Sequence, residues 1–128
     1  MSNQYAIESA LRRLLRLNDS VGGELRGGAY CAEFRVKSNG YPWIQTKTNV
    51  VNMAYEKQSE PVKTIRDHGI CLPSDTVAVD VQHGKYCTLE FARMNPSDFA
   101  ALIDDLFTKF YFVKADYELE IEFIDLRR

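Results

Sequence analysis

Long apolar runs are missing from this sequence. Charged residues interrupt its hydrophobic stretches, and no window reaches the roughly 20 apolar residues that a helix needs to span a bilayer. Arginines also divide the apolar positions near the N-terminus, so no signal-peptide core can be drawn there. We therefore expect no membrane segment, no membrane partner and a cytoplasmic location.

An excess of charge of one sign is missing too. The 16 lysines and arginines nearly balance the 18 aspartates and glutamates, for a formal net charge of −2. Such a balance supplies no long-range field toward phosphate backbones, which argues against nucleic acid as a partner. A nucleic-acid binder would have to use the local cluster of Arg12, Arg13 and Arg16, with Tyr41 and Trp43 stacking on bases.

Cysteine and histidine are scarce. The three cysteines, Cys31, Cys71 and Cys87, are odd in number and widely spaced, unlike a secreted disulfide framework, so we expect a reducing compartment. Two pairs, His68 with Cys71 and His83 with Cys87, offer ligand types that zinc prefers, which makes them a weak alternative metal site. The extended strand predicted at Cys87 would carry its sulfur away from His83. We therefore expect no metal site and no cofactor.

The composition that remains is that of an ordinary globular protein. The chain has 128 residues, of which 45% are hydrophobic and 27% charged, which suits one hydrophobic core. We predict a single α+β domain over residues 1–128. Apolar residues at helical spacing predict an N-terminal helix at about 4–17, and two glycine pairs predict a flexible loop at 21–28.

Alternation of apolar and polar residues predicts most of the strands. Residues 49–58 fit both a strand and a helix, and we favour the strand. The segments with clear alternation or hairpin signals are 29–37, 41–46, 77–82, 87–91 and 117–123.

Two further helices have recognisable starts. Glu60 and Pro61 begin a short helix that ends at about Gly69, and Asn95 caps a longer helix that reaches Phe110. Without the first helix and one early strand, the predicted order is βαββαβ, the order of ferredoxin-like domains. We expect an antiparallel or mixed sheet packed by two or three helices, an arrangement that hosts many unrelated activities.

Catalytic motifs are absent from the sequence. It has no serine nucleophile elbow and no phosphate-binding loop. Cys31 is predicted on a polar strand face, where it is either a small buried residue or a thiol beside Glu33 and Arg35. Cys71 follows a predicted helix C-terminus, whose negative potential disfavours a thiolate. The sequence therefore favours a non-enzymatic protein.

Aromatic and charged surfaces are the remaining candidates for function. The Asn39-Gly40 turn would display two aromatic rings at a hairpin tip, unless the tryptophan folds onto the core. Arginines share one face of the first helix, and glutamates share one face of the last strand. Three interpretations are open: these faces bind partners of opposite charge, they are simply solvated, or they meet each other within the fold or between protomers. The candidate partner-binding residues are Glu118, Glu120, Glu122, Tyr41, Trp43, Arg12, Arg13 and Arg16.

The leading hypothesis is a small protein-interaction module of the inhibitor, immunity or adaptor type. Its partner would be another protein or a second copy of this chain. The alternative is a small-molecule-binding protein or small enzyme with a pocket between sheet and helices. The residues that would line that pocket are Tyr30, Phe34, Phe99 and Tyr117.

Overall fold

A computed structural model describes residues 3–20, 30–38 and 40–126. The flexible loop predicted at 21–28 lies outside these residues. The helices are α1 (Gln4–Ser20), α2 (Pro61–Asp67) and α3 (Pro96–Asp105), and a π-helical segment (Leu106–Phe110) continues α3. The strands are β1 (Tyr30–Val36), β2 (Trp43–Thr46), β3 (Val50–Tyr55), β4 (Val77–Gln82), β5 (Lys85–Glu90) and β6 (Leu119–Asp125).

The strands form one sheet in the order β4-β5-β3-β2-β1-β6, and all neighbouring pairs are antiparallel. The predicted α+β class is therefore confirmed, with an antiparallel rather than a mixed sheet. The ambiguous segment 49–58 contains strand β3, as favoured. Val51, Met53 and Tyr55 alternate along it and are almost fully buried, which is the period of a strand.

The predicted βαββαβ order is present from β3 onward. In the sheet, β5 lies between β3 and β4, so β3 and β4 run in the same direction and are joined through α2. Strands β1 and β2 are inserted between β3 and β6. The additions to the βαββαβ order are thus α1 and two strands, where the sequence predicted one strand.

Side-chain caps explain where two of the helices begin. The Glu60 carboxylate accepts hydrogen bonds from the backbone N–H groups of Val62 and Lys63, and Asn95 Oδ1 accepts from Asp98 N at 2.8 Å. Both starts agree with the sequence. Helix α1 continues past its predicted end to Ser20, and Asn18 in its last turn is buried, where its Oδ1 accepts from Tyr30 N at 2.8 Å.

The end of the long helix differs from the prediction. It is α-helical only as far as Asp105, and the next turn is π-helical, with Tyr111 N donating to the carbonyl oxygen of Leu106 at 3.0 Å. Phe112 follows with φ of +58°, a left-handed conformation that disfavours bulky side chains. The wider turn leaves Phe110 stacked on Tyr55, with ring centroids 6.0 Å apart.

The helices and one side of the sheet share the hydrophobic core. Helix α1 packs on α3 and β1, and α2 contacts β4. Along each central strand, every second residue faces this core; the sheet residues in it include Ala32, Phe34, Ile44, Val51, Met53, Cys87 and Leu89. We call the opposite side the open face, because no helix within the described residues covers it.

Candidate functional site on the open face of the sheet

The open face carries polar side chains across five strands. In the register of the sheet, Arg35 lies opposite Glu120 on β6, Gln45 lies opposite Asn52 on β3, and Asn52 lies opposite Thr88 on β5. These side chains form one continuous hydrogen-bonded chain, which we call the polar row. Its members, in order across the sheet, are Glu120, Arg35, Glu33, Gln45, Asn52 and Thr88.

The charged half of the polar row is built around Arg35. Its Nε donates to Glu120 Oε1 at 2.6 Å, its Nη1 donates to Glu33 Oε2 at 2.6 Å, and the same nitrogen lies 3.2 Å from Glu122 Oε1. Glu33 and Glu122 are direct cross-strand partners, an arrangement of like charges that destabilises a sheet. Arg35 relieves this repulsion by contacting both carboxylates.

The charges of this half do not cancel. Three carboxylates surround one guanidinium, which leaves an excess of two negative charges. Hydrogen bonding to Glu120, followed by further contacts with the neighbouring carboxylates, raises the pKa of Arg35, so the guanidinium stays charged. Only 21% of the Arg35 side chain is exposed, against 42% of Glu120 and 56% of Glu122. The surface that a partner meets is therefore acidic.

The uncharged half of the polar row continues the same chain of hydrogen bonds. Gln45 Nε2 donates to Glu33 Oε1 at 2.7 Å, Asn52 Nδ2 donates to Gln45 Oε1 at 3.2 Å, and Thr88 Oγ1 donates to Asn52 Oδ1 at 2.9 Å. Each bond holds the next side chain in a defined position. The open face therefore presents fixed donors and acceptors, and ordering them on binding costs little conformational entropy.

A shallow hollow of about 400 Å³ lies along this uncharged half. Lys47 and Glu90 add opposite charges at its rim, and Leu126, 44% exposed, adds apolar surface. The residues that line the hollow are Cys31, Gln45, Thr46, Lys47, Val50, Asn52, Thr88, Glu90 and Leu126.

The predicted aromatic pair is divided between two places. Trp43 is the direct strand partner of Arg35, so it lies half-buried on the open face and not in the core. Tyr41 precedes the buried Pro42, remains 39% exposed and contacts Tyr111 edge-on, with ring centroids 6.4 Å apart. Only the tryptophan belongs to the same surface as the polar row.

The predicted glutamates and arginines lie on opposite sides of the sheet. Glu120 and Glu122 are on the open face, and the exposed Glu118 precedes β6, where its carbonyl oxygen accepts from Lys37 N at 2.9 Å. Phe123 follows Glu122 and points to the other side of β6, where it packs against the core, and Arg13 of α1 lies over its ring at 4.7 Å. The two sets therefore do not meet within the fold.

The other arginines of α1 point away from the sheet. Arg12 and Arg16 are exposed, and Arg12 Nη2 pairs with Glu8 Oε2 at 2.8 Å, one turn earlier on the same helix. This i,i+4 pair is exposed and contributes little stability. The arginine face remains a candidate surface separate from the open face.

The histidines and cysteines are placed in different surroundings. His68 packs on Phe110 and its Nδ1 lies 2.8 Å from the carbonyl oxygen of Thr64, whereas His83 Nδ1 lies 3.2 Å from the carbonyl oxygen of Lys57. Cys71 is exposed and Cys87 is fully buried. In the part of the chain that the structure describes, no three His, Cys, Asp or Glu side chains are grouped closely enough to hold a metal ion.

The two buried cysteines are weak candidates for nucleophiles. Burial raises the pKa of Cys31, an effect that the nearby Lys47 only partly offsets, and burial raises the pKa of Cys87 to about 12. Both thiols are therefore protonated at neutral pH, whereas a thiolate is the reactive form.

The side chains proposed for a pocket between sheet and helices are mostly packed in the core. Phe34, Phe99 and Tyr117 are no more than 7% exposed and belong to the hydrophobic cluster, and Tyr30 packs against it. A tightly packed core leaves these rings little room for a ligand.

Sequence reasoning missed most of the polar row. Glu120 was among the predicted residues, but Glu33, Arg35, Gln45, Asn52 and Thr88 were not. These residues occupy the polar positions of alternating strands. The sequence shows those positions, but which of them are neighbours is known only once the order of the strands is known.

Comparisons with known proteins assign this chain to no family. No family model, no curated protein and no solved structure matches it. Within residues 3–20, 30–38 and 40–126, no helix combines the length and apolar character needed to span a membrane.

Proposed function

We propose that this protein is a non-enzymatic, cytoplasmic interaction module that binds a partner protein on the open face of its sheet. The observation that carries the proposal is the polar row, a hydrogen-bonded and net acidic set of side chains on a sheet surface that no described helix covers. An inhibitor, immunity protein or adaptor would bind its partner through such a surface without catalysing a reaction.

The partner we propose has basic residues at its surface. The two uncompensated carboxylate charges around Arg35 attract a cationic surface and raise its association rate. The amides and hydroxyl of the uncharged half then favour a partner with its own polar groups at matching positions. Trp43, beside Arg35, supplies a rigid aromatic contact of the kind that anchors interfaces.

A second copy of this chain is a poor partner for the same surface. A symmetric dimer through the open face would bury the same acidic surface of both copies in one interface, and like charges there repel. The proposal is therefore a complex with a different protein.

The experiment that tests this proposal compares partner capture by two triple variants. In the first, Glu118→Gln, Glu120→Gln and Glu122→Gln remove the acidic excess from the open face without reversing any charge next to Arg35. The control variant, Asp19→Asn, Asp67→Asn and Asp105→Asn, removes three negative charges from the helices. Immobilised wild type and variants are exposed to the cell extract, and bound proteins are quantified by mass spectrometry.

We expect a cationic protein that wild type and the control variant capture, and that the open-face variant captures about tenfold less. Crosslinks from the purified partner should map to β1, β2 and β6, and binding should weaken with added salt. Equal capture by the open-face variant, or crosslinks confined to α1, would contradict the proposal. Circular dichroism of each variant verifies that the fold is retained.

A further inference from the structure

Strand β4 is an edge strand whose outer side is unoccupied by any described strand. Among the described strands it pairs only with β5, and its exposed side chains include Val77, 53% exposed, and Val79, 50% exposed. The outward backbone N–H and C=O groups of an edge strand are free to pair with another extended chain. This edge is therefore open to β-strand addition, in which a peptide extends the sheet.

A groove of about 610 Å³ runs beside this edge. Its walls are the first turn of α2, through Pro61 and Val62, and the core-facing side of β4, through Ala78 and Val81. We call it the β4 groove; it is lined by Gln58, Glu60, Pro61, Val62, Thr76, Val77, Ala78, Val81 and His83. Because successive side chains of a strand point to opposite sides, every second residue of an added strand would enter this mostly apolar groove.

The remaining residues of an added strand would face the opposite, acidic side. Val77 is paired with Glu90 and Asp80 with Thr88, so Val77 and Asp80 face the open side of the sheet. Asp80 and Glu90 are both exposed, and Asp80 also accepts a hydrogen bond from the Tyr86 hydroxyl at 3.1 Å. Lysine or arginine next to Asp80 would complement its carboxylate.

A second copy of the chain fits this edge less well. A six-residue strand is about 20 Å long and a sheet about 10 Å thick, so the edge alone offers far less than the roughly 800 Å² per partner of a stable interface.

We infer that β4 and the β4 groove receive an extended peptide segment of a partner protein, with apolar residues toward α2 and lysine or arginine toward Asp80. The segment adds to β4 as a seventh strand of the sheet. This site lies at the opposite end of the sheet from Glu120 and Glu122. It is separate from the charged half of the polar row and does not depend on the function proposed for it.

Two fluorescent peptides of equal composition test the inference. In the first, seven residues alternate between lysine and valine; in the second, the same residues are grouped into a lysine block and a valine block. Fluorescence polarisation measures binding of each peptide to the full chain. We expect the alternating peptide to bind about tenfold more tightly, since only it matches the period of a strand. Amide hydrogen exchange should slow in β4 when it binds.

Paired lysine variants locate the site. Val77→Lys with Val79→Lys places two charges at exposed positions of β4 and should weaken binding of the alternating peptide about tenfold. Tyr5→Lys with Ala6→Lys, at two exposed positions of α1, is the matched control and should leave it unchanged. The Glu118→Gln, Glu120→Gln and Glu122→Gln variant should also bind normally, which separates this site from the open-face proposal.

Several outcomes would overturn the inference. Equal binding of the two peptides would show charge attraction without strand addition. Loss of binding in the glutamate variant, with normal binding in the β4 variant, would show that the peptide binds the polar row instead. If the wild type sediments as a dimer and the Val77→Lys and Val79→Lys variant as a monomer, the edge pairs with a second copy.

Discussion

The two faces of the sheet hold their side chains in different ways, and neighbouring residues of β1 show the contrast. Phe34 is fully buried against the helices, whereas Arg35 lies on the open face and is held by carboxylates on two strands. One side chain depends on apolar burial and the other on hydrogen bonds and charge. Substitutions on the covered face, the side of the sheet that packs against the helices, should therefore cost more stability than substitutions on the open face.

The largest effect should come from the covered face. Phe34→Ala removes a ring with no exposed surface and leaves a cavity between the strands and helices, at a cost of about 3–5 kcal/mol in the free energy of unfolding. Urea unfolding measures the change. For a domain of this size such a loss removes a large part of the total stability. A cost below that of Arg35→Ala would show that the covered face is loosely packed.

A smaller effect is expected one residue further along the strand. Arg35→Ala leaves Glu33, Glu120 and Glu122 without their shared cation, and should lower the free energy of unfolding by about 1 kcal/mol, the upper part of the range for exposed pairs. Added salt should reduce the loss, because it screens the repulsion among the carboxylates. The same urea titration, at low and high salt, measures both values.

A double-mutant cycle tests whether Arg35 and Glu120 interact in solution. Adding Glu120→Gln should cost less in the Arg35→Ala background than in the wild type, because the hydrogen bond between them is already lost. Additive effects would mean that the pair is not coupled in solution. The contrast between the two faces would then rest on burial alone.

The sequence was sufficient for most of the elements because their signals are local. Alternation in β1 and β5, the Asn95 cap and the helical spacing of α3 are each read within about ten residues. The π-helical turn and Phe112 were not predicted. A left-handed position after a helix is usually glycine, so a phenylalanine there gives no signal.

The polar row could not be predicted from the sequence for a different reason. Its contacts join residues far apart in the chain: Arg35 and Glu120 are 85 positions apart, and Asn52 and Thr88 are 36 positions apart. Such neighbours follow from the sheet order, in which β3 pairs with β5 and β1 with β6. Charge segregation on β6 was visible in the sequence, but the arginine that organises it lies on another strand.

The smallest expected effect again belongs to the covered side, and it depends on pH. Asp104 of α3 accepts a hydrogen bond from the Tyr117 hydroxyl at 3.1 Å, yet burial outweighs that bond and raises the pKa of the carboxyl. The folded state therefore holds the proton more tightly than the unfolded chain. This stabilisation is fully present below the ordinary pKa of 3.8 and is lost as the pH rises through the raised value.

Asp104→Asn removes the titration and keeps an oxygen that can accept from Tyr117. The variant should unfold at higher urea concentration than the wild type at neutral pH, and the advantage should shrink as the pH falls toward 3.8 and below. Urea midpoints measured across this range test the sign. If the difference in urea midpoint between the variant and the wild type does not change with pH, the Asp104 carboxyl is not desolvated, and this part of the covered face is as accessible to solvent as the open face.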